Sequence, residues 1–565
     1  MKTSEANRLP YNDLKIRHPE VVMKLDRMGS FFPFRLSFAR IMIRNLMKNK
    51  TKIACLIWDF DNDGYGHAVY TLDLEGKNVS LIAFSNFLKE SLRTDRVIAS
   101  AWDTSFALFE GIPTKSDIQR LKDQLPLQEA GRYNKTELVL SRANKSVRMF
   151  DLVVQSLSKG KQPSKELINK TGYLMRTTAV YGNGKFGIND RKNIKTHSNF
   201  LIPFQMEMLT VYLIRNFSID LVHHIAKKKD TEKFVELDDD IQRHLGIGNA
   251  TGLGMAPFLV KHPILLNNWF QVRETALSRM LNISQIKEEK KSIILSLIIR
   301  AQVHLCSWLT DDKRQARRIE VLKSEWDSIK NIVQHNFFYQ EYPLLQLFDL
   351  TKDKSLECQE LMASLIMEVG SDEIDGLEQC LESSLNTQLN PKMSVSALSN
   401  LINKNFSWVF EIDFSSKSST SKFWYVSEEK LEPRLGNRYE ENGAHLERPL
   451  DIARRISLLV KDLNVCPANK SVASFLMKYP THRYIVRRVQ ANSWAPYSEI
   501  HENLIAEDCM PIDMLRCKLA FFGASKFDPK SDRWVRVNLF QGAPLTNEIT
   551  SEKADDWWMP VLKDF

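Results

Sequence analysis

Glycine, asparagine and threonine crowd the stretch Gly246-Ile-Gly-Asn-Ala-Thr-Gly-Leu-Gly-Met-Ala-Pro257, a composition that no plain connection between helices requires. Glycine lets backbone approach a ligand closely and adopt positive φ, at an entropic cost that an ordinary linker avoids. Pro257 and His262-Pro263 mark helix starts downstream, where unpaired N–H groups and the helix dipole favour an anion. Residues 246–263 therefore read as a cradle for an anionic substrate, with Gly248, Asn249, Thr251, Gly252 and Gly254 as its contacts. A close helix crossing that needs small residues accounts for the same composition equally well.

A second cluster, Tyr181-Gly-Asn-Gly-Lys-Phe-Gly187, matches Gly-x-Gly-x-x-Gly by letter. The dinucleotide reading needs a strand before it and a helix after it, and the sequence predicts neither. The cluster still places Arg176, Asn183 and Lys185 around exposed backbone N–H groups. Farther on, the helix expected from Pro263 to Leu281 carries Arg273 beside Glu274, on a face that either points back to the glycines or is a solvated ion pair. Arginine binds carboxylate or phosphate in bidentate fashion, glycine loops donate N–H groups to an oxyanion, and His or Glu moves protons. On that division of labour His262, His445 and Glu274 are the acid–base candidates, and Arg176, Lys185 and Arg273 neutralise the substrate.

Other chemistries lack their motifs. Gly-x-Ser-x-Gly, His-Glu-x-x-His, a P-loop and Cys-x-x-Cys pairs are missing, which lowers the serine hydrolase, zinc peptidase, NTPase and zinc-finger readings. Asp59-Phe-Asp-Asn-Asp-Gly64 opens like a calcium loop, but its twelfth position is Tyr70 and its flanks read as strands, so a hairpin turn is expected and no metal site. His223-His224 cannot share a helix face as a metal pair. Seven scattered cysteines, no apolar leader and no long apolar run predict a cytoplasmic chain that neither spans a membrane nor binds one.

The elements that must position these residues read as α+β and predominantly helical. A helix over 31–50 and strands at 53–60, 67–74 and 79–84 suggest an N-terminal α+β unit over 1–115. From Ser116, an expected N-cap, to about Asn400 the periodicity is helical, including a segment from Glu137 to Phe150 whose basic face of Arg142, Lys145 and Arg148 reads as solvated, with a phosphate clamp as the alternative. This predicts a helical domain over 116–400 that carries both glycine clusters. Strands at 407–414, 422–427, 484–490 and 534–540, with a charge-dense loop over 427–448, predict a C-terminal α+β unit over 401–565. A weak echo between 45–60 and 400–414 would fit two related modules flanking a helical body.

At 565 residues, with 43% hydrophobic and 26% charged residues, the composition is that of a globular protein of several domains. Its net charge of +9 arises from 78 Lys and Arg against 69 Asp and Glu, which permits an anionic ligand without demanding nucleic acid. The leading expectation is a metal-independent lyase, isomerase or transferase acting on a small anionic metabolite. No cofactor is required, although the same loops leave open a flavin or a nucleotide, and a homo-oligomer is compatible. The competing expectation is an RNA-binding or assembly protein, since Arg483, Tyr484, Arg487, Arg488, Trp494 and Tyr497 interleave bases with aromatics.

Overall fold

The computed structural model describes residues 16–74, 76–92, 101–125, 134, 136–182, 205–249, 263–334, 341–370, 374, 376–382, 389–414, 424–427, 433–435, 447–449, 452–501, 510–526 and 537–551. The chain forms two units, each assembled from separate segments. One, here the sheet unit, comprises Phe32–Gly252, Ser307–Asp312 and Lys518–Phe565; the other, the helical unit, comprises Met1–Phe31, Leu253–Cys306 and Lys313–Cys517. The α+β, predominantly helical class holds.

The strands are β1 (Ile53–Phe60), β2 (Gly66–Leu74), β3 (Lys77–Ser85), β4 (Thr104–Glu110), β5 (Glu137–Lys145), β6 (Tyr173–Gly182), β7 (Gly246–Asn249), β8 (Trp424–Ser427), β9 (Pro433–Leu435), β10 (Glu447–Pro449), β11 (Ala524–Lys526) and β12 (Val537–Leu539). A nine-stranded sheet runs β1-β2-β3-β4-β5-β6-β7-β12-β11. Its strands come from all three stretches that the sequence divides at 115/116 and 400/401. β1 to β6 form an antiparallel meander, β6 and β7 pair in parallel, and β12 and β11 add antiparallel strands. The first hairpin closes through Asp61, whose carboxylate accepts from the N–H groups of Asp63 and Tyr65 at 3.0 and 2.8 Å, with Gly64 at φ +76°.

Alternation along β4 sends Ala107 and Phe109 to one face and Phe106 to the other. On the first face a core of Val69, Ile82, Phe84, Ala107 and Phe109 packs against Ile118 and Leu121. Those two belong to a helix, Lys115–Gln124, that is started by a capping box between Thr114 and Asp117, two residues earlier than Ser116. On the second face lies the helix Gln205–Lys229, where Phe217 meets Trp58, Phe60 and Phe106. This helix is buried around most of its circumference, and its Arg215 is satisfied by the carbonyls of Gln242, Arg243, Leu245, Ala543 and Pro544 at 2.6 to 3.2 Å.

In the helical unit the helices used below are α1 (Pro263–Leu281), α2 (Leu356–Val369), α3 (Val395–Asn405), α4 (Ile452–Asn464), α5 (Val472–Lys478) and α6 (Arg483–Asn492). The last four pack on one another as a lobe. A three-stranded antiparallel sheet, β10-β8-β9, also belongs to this unit.

Several expectations are corrected. Glu137–Lys145 is an interior strand buried throughout its length, so the alternation that would have marked it is lost and Arg142 and Lys145 are not a solvated helix face. The middle of the chain thus contributes β5, β6 and β7. Residues 484–490 form a helix, because Ile485, Val486 and Val489 make a buried stripe of helical period. Ser407–Glu411 is a 3₁₀ turn, not a strand, so the echo with β1 does not extend to structure. The charge-dense segment 427–448 contributes β9 and β10.

Candidate functional site

The glycine stretch begins inside the sheet. Gly246 and Gly248 lie in β7, between β6 and β12. A Cβ on Gly246 would stand 2.4 Å from the Leu539 carbonyl oxygen, and one on Gly248 would stand 2.7 Å from the Tyr173 ring. Close approach of neighbouring strands therefore requires both residues, so at these two positions packing outweighs a ligand.

The topology favours a site farther along. In the parallel pair Tyr173 lies opposite Gly246, Arg176 opposite Gly248 and Thr177 opposite Asn249. The chain leaves β7 after Asn249 and β6 after Gly182, in the same direction, and each exit leads into one of the glycine-rich stretches. The exits are five residues apart along β6, about 16 Å at ~3.3 Å per residue. Between these levels Arg142 of β5 pairs with Ala179 of β6 and lies under Trp102, its guanidinium carbon 4.1 Å from the ring centroid. Arg142 and Arg176 are 9% and 4% exposed, so two guanidiniums are buried in the strands that lead to the exits. Arg142 belongs to the basic face that the sequence reads as helical and as solvated rather than as a phosphate clamp, because its strand reads as a helix. The strand that the Gly-x-Gly-x-x-Gly reading requires is present as β6, contrary to expectation. Asn183, Lys185, Thr251, Gly252, Gly254, His262 and His445 lie outside the described residues, as do the side chain of Asn249 and any helix that would open the motif.

Arg273 and Glu274 belong to the helical unit and to a different arrangement. Glu274 accepts from Arg17 Nε and Nη2 at 2.8 and 2.9 Å, and Glu360 of α2 accepts from Arg17 Nη1 at 2.7 Å, from Arg27 at 3.3 Å and from Arg273. Arg273 also donates to the Arg27 carbonyl at 3.0 Å and lies near the rings of Trp269 and Phe270. Burial opposes ionisation of Glu360, yet Arg17, Arg273 and Arg27 hold its carboxyl down at about 2. A carboxylate so low, in a cluster whose hydrogen bonds are already filled, does not exchange protons near neutrality. Neither alternative weighed for Arg273 describes it: it is a buried structural cation.

Asp220 is a buried carboxyl that the sequence does not single out. Its Oδ2 accepts from Tyr70 Oη at 2.7 Å and Asn216 Nδ2 at 2.9 Å, while Asn216 Oδ1 accepts from Thr546 Oγ1 at 2.9 Å. Burial raises its carboxyl to about 6 against the hydrogen bonds from Tyr70 and Asn216. Across β1 and β2 Cys55 faces Tyr70, and burial and the Asp220 charge both raise its thiol, so it is a poor thiolate. Asp220 lies fifteen residues into its helix, about 22 Å at ~1.5 Å per residue from the end that follows β6. Its partner Tyr70 belongs to β2, four strands from β6 in the sheet. His223 and His224 each have their own partner: Nε2 of His223 accepts from the Leu237 N–H at 3.0 Å, while His224 accepts from Trp58 Nε1 through Nδ1 at 3.1 Å and donates through Nε2 to the Asp61 carbonyl at 2.8 Å. Among the described residues no group of three His, Cys, Asp or Glu side chains is placed to hold a metal, and no helix is long and apolar enough to cross a membrane.

No family of known proteins matches this chain, and neither a curated protein nor a solved structure shows a significant likeness to it.

Proposed function

We propose that the protein is an enzyme acting by acid–base chemistry on a small anionic metabolite, a carboxylate or phosphate, bound at the carboxyl ends of β6 and β7. The observation that supports this most is that both glycine-rich stretches follow directly from adjacent parallel strands, within a sheet whose other described pairings are antiparallel. Ligands of open α/β sheets bind outside the carboxyl ends of parallel strands, where the order of connections changes. Arg142 and Arg176 supply positive potential there, and Asn183, Lys185, Thr251 and Gly252 remain the expected contacts. Glu274 and Arg273 drop out of the role, because their cluster is closed.

The test is thermal stabilisation of the full chain by a panel of phosphates, carboxylates and mononucleotides, followed by native mass spectrometry. A true ligand at a hundredfold excess over Kd stabilises by about 2.7 kcal/mol. Lys185→Ala and Gly252→Ala should remove that response and leave the unliganded melting temperature near wild type. A panel without a hit, or variants that keep an undiminished response, would count against the site.

A further inference from the structure

The near balance of charge over the whole chain conceals a local excess. In the lobe of α3, α4, α5 and α6, described over 389–414 and 452–501, eight exposed lysines and arginines stand against two exposed carboxylates, Glu411 and Asp413. The other two acids of these segments are engaged. Glu499 takes both arms of Arg488 at 2.5 and 2.9 Å, and Asp462 holds His482 at 2.6 Å.

Helical geometry sorts the basic and aromatic residues of α6, and a strand would have sorted them differently. Arg488 turns inward to Glu499, and Tyr497 is buried, stacked on Phe270 with its hydroxyl donating to the Arg17 carbonyl at 2.7 Å. Arg483, Tyr484, Arg487 and Trp494 are exposed, Tyr484 at 48% and Trp494 at 36%. At 100° per residue Arg483 and Arg487 fall within roughly 40° of one another, with Tyr484 on their flank. Beyond the helix end the Trp494 N–H bonds to the Ala491 carbonyl, a 3₁₀ turn that advances ~120° per residue and leaves Trp494 within roughly 60° of both arginines.

We propose that this lobe is a docking surface for single-stranded nucleic acid, with Arg483 and Arg487 on phosphates and Tyr484 and Trp494 under bases. The inference is independent of the metabolite site. Charge complementarity points to a polyanion, and the choice of polyanion follows from what accompanies the charge. An acidic membrane would need exposed aliphatic side chains beside these cations, but Ile485, Val486 and Val489 of α6 are buried, and the exposed Leu458, Val465 and Met477 of the lobe lie on α4, just after it and on α5. An acidic protein segment would engage the same cations without needing two rings beside them, and poly-glutamate tests that occupant directly. Unpaired bases stack on aromatic rings beside cations, and duplex bases do not present that face.

The experiment is fluorescence anisotropy of labelled 20-nucleotide poly(dT) and poly(U) with the full chain across a salt series. Vesicles containing phosphatidylserine and labelled poly-glutamate serve as competing polyanions. Binding to the oligonucleotides is expected to fall with salt, and Arg483→Glu with Arg487→Glu should lower the slope of log K against log salt by about 1.4. Trp494→Ala should weaken binding about tenfold with the slope unchanged, and Trp494→Phe should restore it. Circular dichroism of each variant confirms folding, and Tyr484→Ala replaces Trp494→Ala if the latter does not fold. Absence of oligonucleotide binding, equal affinity for poly-glutamate, preference for vesicles, or variants that bind as wild type would each overturn the proposal.

Discussion

At the scale of single residues, the decisive feature is how charge is buried. Arg273 next to Glu274 is visible in the sequence, but their meaning depends on Glu360, 87 positions from Arg273, and on Arg17, which no local pattern connects to them. A solvated pair contributes little, about 0 to 1 kcal/mol, whereas removing one member of a buried cluster costs about 3–5 kcal/mol because the remaining charges lose compensation. Glu360 is fully buried and Arg273 nearly so. Glu360→Gln is therefore expected to destabilise the helical unit by about 3–5 kcal/mol, since three guanidiniums would then share the charge of Glu274 alone, and Arg273→Ala by a similar amount. Urea unfolding monitored by circular dichroism measures both. Values near zero would return Arg273 to the surface role and reopen its claim to an anionic ligand.

At the scale of elements, the sequence was most legible where one face alone is buried or where an element is long and apolar. The β1 to β3 hairpins appear within a residue or two of their structural limits, and the Pro263–Leu281 helix begins at its proline. Legibility failed where burial removes the period, as in β5, and where a short segment's type depends on distant partners. β7 is four residues long and exists because β6 and β12 flank it, the latter nearly three hundred positions away. The candidate site shared that limit: its glycines stood out, but not that two of them serve the sheet. Gly246→Ala should destabilise the sheet unit, and by more than Gly248→Ala, because the Leu539 carbonyl is backbone and cannot move aside, whereas the Tyr173 ring can turn. Overpacking of this kind costs about 1–3 kcal/mol. Tyr173→Leu should recover part of the loss in Gly248→Ala and none in Gly246→Ala, a non-additivity that a double-mutant cycle in urea detects. Equal losses, or no rescue, would mean that the glycines are not there for strand packing.

At the scale of the whole molecule, two units share one chain, so acid stability has to be argued unit by unit, and in the sheet unit two kinds of buried group oppose each other. Burial depresses His244 to about 4 from 6.5 and lowers His223, so each stays neutral in the fold while the unfolded chain takes up a proton; the stability that this represents is present above 6.5 and is lost as pH falls towards 4. Burial raises Asp220 to about 6 from 3.8, so the fold binds its proton first; that stability is present below 3.8 and is lost as pH rises through 6. Each of the two valued shifts corresponds to about 3 kcal/mol when complete, so between pH 4 and 6 Asp220 offsets most of what His244 loses. The wild-type sheet unit should therefore change little in stability between pH 6.5 and 4, with a residual decline set by His223. Asp220→Asn keeps a hydrogen-bonding partner for Tyr70 but removes the titration. This variant should be more stable than wild type at pH 7.5, where it avoids a buried charge, and should lose about 3 kcal/mol on going to pH 4. His244→Gln should do the reverse, becoming more stable as the pH falls. Urea titrations of the three proteins at pH 4, 5, 6.5 and 7.5 measure these slopes, and parallel curves for wild type and Asp220→Asn would show that the carboxyl titrates in the fold as it does in the unfolded chain.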